Sequence, residues 1–162
     1  MAAAQPALVI VVRHAEAASA PGGDPPLTPE GAQRAQALAE LLADAGVTQI
    51  VSTQFRRTLD TAGPTARRFG IEPQVVAARR GEGAAHVPEV VEAVRRLGGV
   101  VLVVGHSNTV GAIVAGLAGK PVTPLCETSH APLFVLGPQA ASGALLRLHY
   151  GAPDPPPGPG CQ

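Results

Sequence analysis

Two unbroken apolar runs, ALVIVV at residues 7–12 and VVLVV at residues 100–104, constrain this chain more than any other feature. Both are short and rich in β-branched side chains, and neither shows the polar alternation of a strand with one wet face. Such runs suit strands covered on both sides, which occur chiefly in parallel sheets with helices on each face. Each run gives way abruptly to polar residues: Arg13-His14 after the first and, beyond Gly105, His106-Ser107-Asn108 after the second.

Helix and strand signals alternate between and around these runs. Thr28 reads as an N-cap, Pro29 as a first helical residue and Glu30 as a carboxylate on the favourable end of the helix dipole. The apolar face that follows is Ala35, Leu38, Leu42 and Ala45, and Gly46 ends it. A second strand is expected at 48–52. A helix follows at 55–69, with Phe55, Leu59, Ala62, Ala66 and Phe69 as its buried stripe and a kink at Pro64. Further expectations are a strand at 74–77, a helix at 88–97 carrying Val90, Val91 and Val94 inward, a helix from about 110 to 118, and a closing strand pair at 133–136 and 144–150. This order predicts an α/β fold, a three-layer α/β/α sandwich with a mainly parallel central sheet, over residues 1–152. The Pro/Gly-rich end, 153–162, reads as a disordered tail.

Composition narrows the rest. The chain lacks Trp and has four other aromatic residues, Phe55, Phe69, Phe134 and Tyr150, so Ala, Val and Leu must fill the core. Formal net charge is zero with neutral histidines, which offers nothing to a nucleic acid. No stretch approaches the roughly 18 apolar residues of a membrane span. Cys126 and Cys161 lack zinc-site spacing, and the composition of the tail speaks against a disulfide between them. The start, AAAQ, fits a plain N-terminus or a mature exported chain equally, leaving cytoplasmic and exported locations open.

The carboxyl ends of strands in an open α/β sheet form the ligand crevice. Arg13, His14, Arg57 and His106 all lie just past expected strands, so they can converge there. Two arginines offer forks that match phosphoryl oxygens and stay charged. A neutral histidine has one ring nitrogen free to attack phosphorus, and the remaining cationic groups stabilise charge on the equatorial oxygens. Ser107 and Asn108 add phosphate-binding donors, or simply cap the next helix. With side chains supplying the positive charge, the chemistry needs no metal or cofactor.

The segments VVRHAE (11–16), PLTPEGAQRA (26–35), STQFRRTLDTA (52–62) and VVGHSNTV (103–110) together resemble the histidine phosphatase, or phosphoglycerate-mutase-like, superfamily, most closely its short phosphatase members. The resemblance spans Val9 to about Tyr150. It implies His14 as nucleophile, Arg13 and Arg57 as phosphate ligands, and His106 as the second histidine. Thr61-Ala62 sets the register that favours Arg57 over Arg56. The chain departs from the family pattern at Ala15, where glycine is usual, and near Ala20, where mutase-like members carry asparagine. Ser107 stands where phytase-like members place an acid. Glu82, in the segment RRGEGAAH, is the candidate general acid, and Glu16 a second. His86 and His130 read as rim residues and His149 as strand surface. The resemblance implies a metal-independent phosphatase acting on small-molecule phosphomonoesters or phosphorylated protein side chains through a phosphohistidine on His14. A non-catalytic phospholigand binder and a phosphoglycerate mutase are the alternatives.

Overall fold

The structure is a computed structural model and describes residues 5–137 and 143–161; the AAAQ reading of the N-terminus falls largely on residues outside that range. The elements run β1 (Pro6–Arg13), α1 (Pro29–Leu41), β2 (Val47–Ser52), α2 (Arg56–Phe69), β3 (Gln74–Val75), α3 (Gly83–Arg95), β4 (Gly99–Gly105), α4 (Ser107–Ala118), β5 (Pro132–Gly137) and β6 (Ala144–His149). One sheet holds all six strands in the order β3-β2-β4-β1-β5-β6. β3, β2, β4 and β1 pair in parallel, whereas β5 is antiparallel to both β1 and β6.

The two apolar runs are β1 and β4, side by side at the centre. Their alternate residues face opposite ways, as the period of two requires. Val9, Val11, Val101 and Val103 join Val90, Val94, Val110 and Ile113 of α3 and α4 in one core. Ile10, Val12, Leu102 and Val104 join Leu38 of α1 and Ala62 and Ala66 of α2 in the other. The expected three-layer sandwich is therefore present, with one helix pair on each face.

Several local expectations shift. The buried face of α2 is Thr58, Thr61, Ala62, Thr65 and Ala66, while Phe55 and Leu59 are only half-buried. This face is turned toward the threonines because Thr58 and Thr61 find hydrogen-bond partners around the strand ends. α3 starts five residues before the expected Pro88, and α4 starts at Ser107 with His106 as its N-cap. Helix α1 starts as expected, with the Thr28 side chain accepting a hydrogen bond from Gly31 N. A Cβ on Gly31 would overlap the Glu16 carbonyl, so α1 rests directly on the loop that follows Arg13-His14.

The disulfide expectation is corrected: Cys126 and Cys161 are joined, with Cα atoms 5.8 Å apart, inside the range such a bond needs. Asp154 explains how the Pro-rich end reaches that position. Its Oδ1 accepts hydrogen bonds from the main-chain N–H groups of His130 and Ala131 at 2.8 and 3.0 Å. Arg34 adds a bond to Ala152 O at 2.9 Å.

Candidate active site

The register Arg13↔Gly105 brings the ends of β1 and β4 level, so the residues that follow share one crevice. His14 N donates to Gly105 O at 2.8 Å, and the His14 and His106 rings stand 5.4 Å apart. β2 ends beside them and leads into α2, which supplies Arg57. A cavity of about 670 Å³ opens here, lined among others by Arg13, His14, Phe55, Arg57, His106, Ser107, Asn108 and Glu127.

Each of the four central side chains is held by a defined partner. Arg13 is buried, and its Nη1 donates to the carbonyls of Cys126, Glu127 and Ser129 at 3.2, 2.6 and 3.0 Å. Those bonds occupy one end of the guanidinium. Its Nε is buried without a partner, and on this Nε/Nη2 edge, whose geometry suits a bidentate contact with an oxyanion, Nη2 lies 3.4 Å from Glu127 Oε2. His14 Nδ1 lies 2.7 Å from Ala15 O. A carbonyl only accepts, so Nδ1 carries the proton and Nε2 keeps its lone pair. Ala15 is fixed in turn, because its N–H donates to Thr61 Oγ1 at 2.9 Å while Thr61 Oγ1 donates to Arg57 O at 2.7 Å.

His106 takes the opposite tautomer. Arg57 Nη2 approaches its Nδ1 at 3.4 Å and can only donate, so Nε2–H donates to Thr53 Oγ1 at 3.0 Å. Thr53 Oγ1 passes a bond to Thr58 Oγ1 at 2.8 Å, which donates to Phe55 O at 2.8 Å. Arg57 also lies over the Phe55 ring, 4.4 Å from its centroid. Its neighbour Arg56 points away and pairs with Asp60. Ser107 and Asn108 open α4, so their main-chain N–H groups belong to the first turn, where helices leave donors free for an anion.

A sequence profile of the histidine phosphatase superfamily (branch 1) matches residues 9–81, the stretch that carries Arg13, His14 and Arg57. No curated protein matches the chain in sequence. Among solved structures its fold is similar to the protein histidine phosphatase SixA complexed with tungstate, at 18% identity and a TM-score of 0.67, covering 88% of this chain and 96% of that one. Bacillus stearothermophilus YhfR is also similar, at 17% identity and a TM-score of 0.67, covering 85% and 94%. So is a mycobacterial glucosyl-3-phosphoglycerate phosphatase, at 20% identity and a TM-score of 0.61, covering 90% and 99%.

Neither expected acid, Glu82 or Glu16, reaches the cavity. Glu82 is the N-cap of α3, is largely exposed and pairs with Arg79 at 3.6 Å. It lies in the segment that α3 draws into a helix, and there it faces away from His14 toward Ala85 and Glu89. Glu16 is locked on Arg34 by bonds of 2.7 to 3.0 Å. The carboxylate that does line the cavity is Glu127, in the loop before β5. Its Oε1 accepts from Ser107 Oγ at 2.7 Å and its Oε2 lies 3.4 Å from Arg13 Nη2. Among the described residues it is the one carboxylate on this wall. Nothing in the local sequence singled it out, because its contact with Arg13 joins segments more than a hundred residues apart.

The other histidines also have partners. His86 is buried, lines the cavity and donates from Nδ1 to Ala77 O at 3.2 Å. His130 packs 6.0 Å from the His14 ring and donates from Nδ1 to His14 O at 3.0 Å, so it supports the backbone of His14. The described residues hold no group of three or more side chains fit for a metal, and no helix is long and apolar enough to cross a membrane.

Burial shapes the ionisation of the histidine pair. It pushes the His14 imidazole down to about 4, with Arg13 and Arg57 lowering it further against the pull of the Ala15 carbonyl. Burial, followed by the charges of His14 and Arg57, takes His106 down to about 3. Both rings are therefore neutral at neutral pH. A proton-coupled NMR titration of the ligand-free protein should place the His14 midpoint near pH 4. A midpoint at the ordinary 6.5 would contradict the buried, cation-flanked setting.

Proposed function

We propose that this protein is a metal-independent phosphatase that hydrolyses phosphomonoesters through a phosphohistidine on His14. The observation that carries the reading is the tautomer of His14. Its Nδ1–H is spent on Ala15 O, so Nε2 is an unprotonated nucleophile at neutral pH beside two arginines. Arg13 presents its Nε/Nη2 edge and Arg57 its guanidinium to the phosphoryl oxygens, with His106 and the first-turn N–H groups of α4 completing the cradle. These groups stabilise charge that spreads over the equatorial oxygens as the P–O bond breaks. His14 Nε2 takes the phosphorus, the ester oxygen leaves, and water then attacks the phosphohistidine to release inorganic phosphate.

The substrate class follows from the shape of the site. The cavity is open to solvent, so it suits small phosphomonoesters or a phosphorylated protein side chain. Turnover of a panel of phosphomonoesters, followed as inorganic phosphate release, tests the reading. Competitive inhibition by vanadate should accompany turnover. Vanadate binding without any phosphate release would instead support a non-catalytic phospholigand binder. Conversion between phosphoglycerate isomers would support a mutase.

A further inference from the structure

Resting on the phosphatase reading, we infer that Glu127 is the catalytic proton donor for the leaving group, and that Ser107 aims it. Three observations converge. Glu127 is the one carboxylate lining the cavity among the described residues, while Glu82 and Glu16 are engaged elsewhere. Its two oxygens are oriented separately, Oε1 by the Ser107 hydroxyl and Oε2 by Arg13. Its main chain is anchored as well, since the carbonyls of Cys126, Glu127 and Ser129 all receive Arg13 Nη1 and Cys126 is tied to Cys161. A carboxyl group held this way sits at the mouth of the phosphoryl cradle. The side chain is 82% exposed, so a leaving group of any size can meet it.

The proton balance closes within the site. A phosphomonoester whose second ionisation lies near pH 6 arrives partly as the monoanion. Its proton passes to the Glu127 carboxylate as Arg13 takes the phosphoryl oxygens on its Nε/Nη2 edge. His14 Nε2 then forms its bond to phosphorus, the bond to the ester oxygen breaks, and that oxygen takes the proton from Glu127 and leaves as the alcohol. In the second half Glu127, again a carboxylate, accepts a proton from the water that attacks the phosphohistidine. The bond from nitrogen to phosphorus breaks, His14 regains its lone pair, and phosphate departs with the proton. Ser107 keeps the carboxyl in place through both halves.

Glu127 also touches Arg13, so a purely positioning role has to be separated from proton donation. Leaving-group dependence does this. A good leaving group such as p-nitrophenolate needs no proton, whereas an alkyl alkoxide does. For Glu127→Gln, which keeps the shape and a hydrogen bond to Ser107, kcat on an alkyl phosphate should fall about 10²–10³-fold. On p-nitrophenyl phosphate the same variant should lose less than about 10-fold. Its affinity for inorganic phosphate should stay close to wild type, and Glu82→Gln should behave as wild type on both esters. An equal loss on the two esters, or weakened phosphate binding that accounts for the whole effect, would overturn the proton-donor role and leave Glu127 as a support for Arg13. No loss on the alkyl ester would overturn it too. Failure of the phosphatase reading looks different: the wild type itself would then release no phosphate from either ester.

Discussion

His14→Ala should abolish phosphatase turnover, lowering kcat by about 10⁴–10⁶-fold, the scale seen when a covalent nucleophile is removed. The reason is structural as much as chemical. The Ala15 carbonyl, braced through Thr61 and Arg57, selects the tautomer that exposes Nε2, and burial keeps that nitrogen unprotonated. His106 cannot take over. His106 Nε2 is spent on Thr53, and its Nδ1 faces Arg57. The phosphate cradle survives the substitution, because Arg13 is held by three carbonyls independently of His14. The variant should therefore bind vanadate or phosphate while failing to turn over even p-nitrophenyl phosphate. A residual rate within about 100-fold of wild type would contradict the covalent route.

Arg34→Ala should cost about 3 kcal/mol of stability, at the lower end of what removal of one partner of a buried ion pair costs. Arg34 is almost fully buried and acts as a hub. It makes a two-oxygen fork on Glu16, and it donates to Tyr150 O at 2.8 Å and Ala152 O at 2.9 Å. It thus links α1, the loop after β1 and the chain beyond β6. Without it the Glu16 carboxylate and two carbonyls lose their partner, although Glu16 is 28% exposed and regains some water. Lysine at this position should restore only part of the loss, since a single ammonium cannot reproduce the fork. The pH dependence has a definite sign. Burial alone would raise the Glu16 carboxyl, but the Arg34 hydrogen bonds outweigh it and hold the group below its ordinary 4.5. Its contribution is complete above that value and disappears as pH falls through the lower folded value. Urea unfolding at neutral pH should show the full difference between wild type and variant, and the two curves should approach each other below about pH 4. A difference under about 1 kcal/mol at neutral pH would contradict the hub.

Much of this site can be read along the chain where function follows from local pattern. An apolar run ending in Arg13-His14, another ending before His106, and Arg57 four residues before the buried Thr61-Ala62 pair each declare themselves within a few residues. The sheet ends bring them together because β1 and β4 are neighbours in register. What escaped notice depends on long-range closure. Glu127 meets Arg13 and Ser107 only when the loop before β5 folds over the strand ends. The Cys126–Cys161 bond forms because Asp154 pins the Pro-rich end to His130 and Ala131. The helix expected from residue 88 begins instead at Gly83, and α3 brings His86 into a buried place on the cavity wall. The inward threonines of α2 were masked by a hydrophobic stripe that looked sufficient; the Thr58 hydroxyl braces Thr53, the partner of His106, and the turn after β2, and the Thr61 hydroxyl braces Ala15.

The phosphohistidine on His14 can be observed directly. Wild-type protein mixed briefly with p-nitrophenyl phosphate and quenched in alkali, which preserves the bond from phosphorus to imidazole nitrogen, should carry the mass of one phosphoryl group. That increment should map to the peptide containing His14, vanish on acid treatment and be absent from His14→Ala. Active enzyme that yields no acid-labile phosphoryl group, or one that persists in His14→Ala, would contradict the account.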